Sequence, residues 1–96
     1  MRVLVKQPGK KAITTWLENK LEALQRFVGG YVECILLDDS ILMICNEEGK
    51  LLNMPVNFIL ENDVIVGPVI FCGINGDKFD DLPDGTETKI RTMIGE

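Results

Sequence analysis

The side chains in this 96-residue chain that could do chemistry are carboxylates and thiols, because it contains no histidine. Carboxylates occur as neighbours in Asp38-Asp39, Glu47-Glu48 and Asp80-Asp81. General acid/base catalysis needs two carboxyl groups converging on one bond, whereas adjacent residues of an extended chain point to opposite faces. All three pairs also sit among turn residues, so they read as solvated corners. Cys34, Cys45 and Cys72 each lie inside an apolar run, and no imidazole exists to activate a thiol. Their odd number and the lack of a Cys-x-x-Cys pair make them reduced core residues rather than zinc ligands or a disulfide frame.

Two further segments imitate known chemistry. The acidic stretch NGDKFDDLPDGTE at 75–87 suggests calcium, but Phe79 and Pro83 break the alternation of oxygen ligands that such a loop requires. The glycines of FVGGY at 27–31 follow an apolar periodic segment instead of opening one, so they stop a helix rather than cradle a phosphate. The expectation is no catalytic residue, no metal and no cofactor.

Net charge is −5, with a pI near 4.7, one Trp and one Tyr. That balance, without a basic recognition helix, argues against direct nucleic-acid binding. A mimic of DNA charge is a minor alternative, since the acids are far sparser than duplex phosphates. The charge is uneven: residues 1–26 hold six bases against two acids, or +4, and residues 27–96 hold four bases against thirteen acids, or −9. An anionic ligand is therefore expected near the N-terminal third.

These residues must be positioned by one domain, 1–96, with a core of about 1–76 and an acidic turn and tail at 77–96. The apolar fraction of 46% and charged fraction of 26% are ordinary for a globular chain. The longest apolar run, VIVGPVIFCGI at 64–74, has eleven residues where a spanning helix needs about twenty. A cytosolic location with no membrane association is expected.

The fold class predicted is α+β: a mostly antiparallel sheet of four to six strands, one main helix at about 20–28 and a short C-terminal helix. MRVLVKQ, PGKK and AITTWL read as an opening hairpin. NKLEALQRFVGG places Leu21, Leu24, Phe27 and Val28 on one face, with Asn19 as cap and glycines at the exit. YVECILLDD and SILMICN form a second antiparallel pair. Glu47 to Gly49 make a reversal, with Gly49 able to take positive φ, and Lys50–Leu52 return as a short strand. Met54-Pro55 opens a single helical turn. The 64–74 run is a central strand interrupted near Gly67-Pro68, 75–85 is a flexible segment, and Thr86–Ile94 is a helix.

The most patterned polar segment is NEEGKLLNMPVN at 46–57. Tyr31, Asn46, Glu47, Glu48, Lys50 and Asn57 combine an aromatic ring, amides and charges on turns, which makes them the candidate ligand- or partner-binding residues.

The order RVLVKQPGK, LEALQRFVGGYVE, CNEEGKLLNMPVN and VGPVIFCG resembles the bacterial and phage domain of unknown function 3846 family over roughly residues 1–80. The helix leaving through Gly29-Gly30-Tyr31 and the Asn46–Lys50 turn leading to Pro55 and Asn57 match its hallmark segments; the tail after residue 77 does not follow the pattern. The resemblance implies a small intracellular protein of phages or mobile elements, with no assigned activity. Together these readings predict a non-enzymatic accessory protein that binds a host protein or a small anionic signal stoichiometrically. The alternative is a homo-oligomeric regulatory subunit without a small ligand.

Overall fold

A computed structural model describes all residues, Met1–Glu96. The predicted opening hairpin is present as β1 (Arg2–Lys6) and β2 (Ile13–Trp16), and the second pair as β3 (Val32–Leu36) and β4 (Ile41–Asn46). β5 (Val56–Leu60) and β6 (Asp63–Val66) form a separate two-stranded hairpin. β7 (Val69–Asn75) follows, and β8 (Lys78–Asp80) folds back on its end. The main sheet has the order β2-β1-β7-β4-β3 with β8 added to β7, all antiparallel.

β7 is central, as its unbroken apolar sequence requires. Both faces of the sheet are covered. On one, helix α1 (Leu21–Val28) seats Leu24 and Val28 over Val3, Val5, Leu42, Ile44, Ile70 and Cys72. On the other, Phe58 and Ile65 of the hairpin, Ile90 of helix α2 (Glu87–Met93) and Ile94 just past its end cover Leu4, Met43 and Phe71. The Phe58 and Phe71 rings stack with centroids 6.2 Å apart and join hairpin to sheet. Each such large side chain removed from water contributes about 1.5–3 kcal/mol.

α1 ends as predicted: Gly29 takes φ +86° and its amide caps the Gln25 carbonyl. Its start differs. The N-cap position is Lys20, without a side-chain cap, because the Asn19 amide is drawn away to the Phe79 carbonyl at 2.9 Å. Leu24 is fully buried and Phe27 half-buried, whereas Leu21 is 49% exposed at the helix entrance.

Three other expectations give way. Lys50–Leu52 is turn, not strand, since its backbone closes locally: Leu52 donates to Glu48 and Asn53 to Lys50. Met54–Leu60 opens no helical turn; the alternation of Val56, Phe58 and Leu60 pairs with β6 instead. The 75–85 segment is β8 plus a turn strapped down by Arg2. That side chain reaches Asp84 at 2.8 Å, Glu87 at 2.7 Å and the Leu82 carbonyl, while the Arg2 amide donates to Asp81. No helix is long and apolar enough to cross a membrane.

Candidate functional site

The polar segment after β4 is a compact turn built on one side chain. Asn46 is buried; its Nδ2 donates to the Val28 carbonyl at the end of α1 at 3.1 Å, and its Oδ1 accepts the Glu48 amide at 2.7 Å. The Glu47 amide adds a bond to the Tyr31 carbonyl, and Met54 donates to Gly49. The positive φ expected at Gly49 falls instead on Asn53, at +56°. Gly49 is required for closeness: a Cβ there would stand 2.9 Å from Val66 Cγ2. Thus the turn is pinned to α1, β3 and β6 at once.

Between this turn, β3 and β6 lies an open groove of about 490 Å3, lined by Glu33, Ile35, Cys45, Lys50, Asp63 and Ile65 among others. Glu47 and Glu48 stand on its rim as exposed residues. Its single cation is engaged, Lys50 Nζ to Asp63 Oδ1 at 2.8 Å, and that hydrogen bond lowers the Asp63 carboxyl below its ordinary range. Burial, reinforced by the Glu33 charge, pushes the Cys45 thiol up to about 11, so the sulfur in the floor stays protonated and weakly nucleophilic. No group of three or more His, Cys, Asp or Glu side chains could hold a metal ion. The groove presents negative charge and apolar surface.

Across residues 1–95 the sequence matches the family described as "Domain of unknown function (DUF3846)". The chain belongs to that family. The match runs through the C-terminal tail, correcting the expectation that the tail departs from the pattern after residue 77. Comparison with curated proteins and with solved structures gave no match.

In this DUF3846 domain the two hallmark segments meet in space. Gly30 lacks a side chain where a Cβ would stand 3.0 Å from Asn46 Nδ2, so the glycine pair leaving α1 makes room for the amide that anchors the turn. Tyr31, Asn46, Glu47, Glu48 and Lys50 are gathered here, and a second hollow of about 260 Å3 lies between Gln25, Gly29, Tyr31, Glu48 and Leu52. Asn46 serves the scaffold; Tyr31, Glu47, Glu48 and Lys50 face outward.

Asn57 lies elsewhere. Its Nδ2 donates to the Lys6 carbonyl at 2.8 Å and the Gly67 carbonyl at 2.7 Å, stitching the β5–β6 hairpin to β1. Of the six basic residues in the N-terminal third, Lys10, Lys11 and Arg26 are exposed and in no ion pair, while two others are engaged. Arg2 is held by Asp84 and Glu87, and Lys20 by Glu18.

Sequence reasoning missed Leu51 and Leu52, which are 78% and 56% exposed at the tip of the turn. The signal was present in the KLLN run, where two large apolar residues follow a reversal, but the expected short strand at Lys50–Leu52 drew no attention to their exposure.

Proposed function

We propose that this DUF3846 domain is a non-enzymatic accessory protein of phage or mobile-element type that captures a host protein stoichiometrically in the bacterial cytosol. The observation that carries this reading is the exposure of Tyr31, Leu51 and Leu52 around a turn pinned on three sides. Exposed aromatic and aliphatic side chains on a rigid support are what protein interfaces use as anchors, and surrounding charges set which partner fits. Of the two ligand classes expected, a protein suits this face better than a small anion, because the groove beside it presents Glu33, Glu47, Glu48 and Asp63 against Lys50 alone.

A homo-oligomeric regulatory subunit is the second reading, favoured by the unpaired outer edges of β2 and β3. Native mass spectrometry of the protein isolated from an infected or expressing cell separates the two. Capture predicts an added mass of one partner polypeptide, lost in a Leu51→Ser/Leu52→Ser variant that melts at the wild-type temperature. A retained small molecule, or multiples of the chain's own mass, would overturn it.

A further inference from the structure

We infer that the β3 edge receives an extended basic segment of the partner as an added strand, with the partner's cationic side chains lying in the adjoining groove. β3 is an outer strand and pairs only with β4. In that ladder the Leu37 amide donates to Ile41 and the Tyr31 carbonyl accepts from Glu47. Antiparallel residues alternate between facing the partner strand and facing away. Glu33 and Ile35 therefore direct their backbone groups to β4, while Val32, Cys34 and Leu36 turn theirs outward, unpaired. β3 carries one charge, Glu33, and has no lysine, proline or bulge, three of the devices by which edge strands resist addition.

A guest strand would present alternate side chains to the two faces. One set would lie by Val32, which packs towards α1, and by Cys34 and Leu36, the latter 57% exposed. Apolar residues fit there. The other set would lie by Glu33 and Ile35, over the groove, where Glu33, Glu47 and Glu48 take part in no ion pair. Cationic residues fit there. Charge also decides against a second copy, since pairing β3 with β3 would bring two sets of these carboxylates to one seam, and like charges across a strand pair repel.

The proposal rests on the partner-capture reading and is tested beside it. The probe is the blocked heptapeptide Val-Lys-Val-Lys-Val-Lys-Val, added to isotope-labelled protein at low salt, with amide hydrogen exchange followed residue by residue. The expected result is exchange slowed about tenfold at Val32, Cys34 and Leu36 and unchanged at Glu33 and Ile35. A Glu33→Gln/Glu47→Gln/Glu48→Gln variant should bind about tenfold more weakly.

Equal edge protection by the reordered Val-Val-Val-Val-Lys-Lys-Lys, or binding of either peptide with an unprotected edge, overturns strand addition in favour of diffuse attraction. So does no binding, or edge protection in the free protein that grows with its own concentration, which marks a second copy. Any of these outcomes leaves the turn as a grip standing. The capture reading falls separately, if the Leu51→Ser/Leu52→Ser variant keeps its partner mass.

Discussion

Asn46 and Val28 are joined by a side-chain to backbone hydrogen bond of 3.1 Å between a buried amide and the last carbonyl of α1. Through the same residue the Glu48 amide is held at 2.7 Å, so the end of the helix and the start of the displayed turn share one anchor. Asn46→Ala should cost about 1–3 kcal/mol by leaving the buried Val28 carbonyl and the part-buried Glu48 amide without their partner, read as a lower urea midpoint.

Asn57 and Lys50 should separate in the same assay. Asn57→Ala removes a donor to both Lys6 and Gly67 and should also cost about 1–3 kcal/mol. Lys50→Ala breaks an exposed ion pair and should cost less than about 1 kcal/mol. Equal losses would contradict the division between scaffold and display.

The core offers a sharper contrast. Leu24→Ala opens a cavity under α1 and should cost about 2–5 kcal/mol, whereas half-exposed Leu21→Ala should cost a small part of that. Gly73→Ala should be as damaging as Leu24→Ala, because its Cβ would run into the Asp81 carbonyl oxygen, a backbone atom that cannot swing aside. Urea unfolding of the three variants checks the order.

Acid stability should report the Asp38–Lys89 contact. The hydrogen bond from Lys89, at 2.7 Å, with help from the Ser40 amide, holds the Asp38 carboxyl at about 2, below the ordinary value near 3.9. A depressed carboxylate stabilises the fold above its unfolded pKa and loses that contribution as pH falls through the folded one. The stability gap between wild type and Asp38→Asn should therefore be full above about pH 4 and shrink towards pH 2. A gap that is flat across this window contradicts the assignment.

Thiol reactivity should follow burial. Cys72 is fully buried, with its thiol pushed up to about 12, and Cys45 stands at about 11; Cys34 is raised too, by partial burial and the Glu33 charge, but is exposed. Iodoacetamide at pH 8 should label Cys34 alone, slowly, and reach the other two only after unfolding. Mass spectrometry of native and denatured samples resolves the pattern.

Much of this architecture was legible because it is local. The 3.6-residue spacing of Leu24 and Val28, the stop at Gly29 and the two hairpins each follow from neighbours within a few residues. The sequence also showed that 46–57 was a patterned polar segment, and five of its six candidate residues do meet around one turn. Asn19 misled because its amide is claimed by Phe79, a residue sixty positions away.

What the chain alone determined, then, is its periodicity: an apolar helical face, alternating strands and a β7 run too apolar for any but a central place. Tertiary structure decided the rest. Whether 54–60 became helix or strand depended on β6 as a pairing partner and on Phe71 as a stacking surface, neither of them adjacent in sequence. The same holds for Asn46 buried and Leu51 displayed, since burial is a property of what packs alongside, and for the acidic groove, which exists only where β3, β6 and the turn converge.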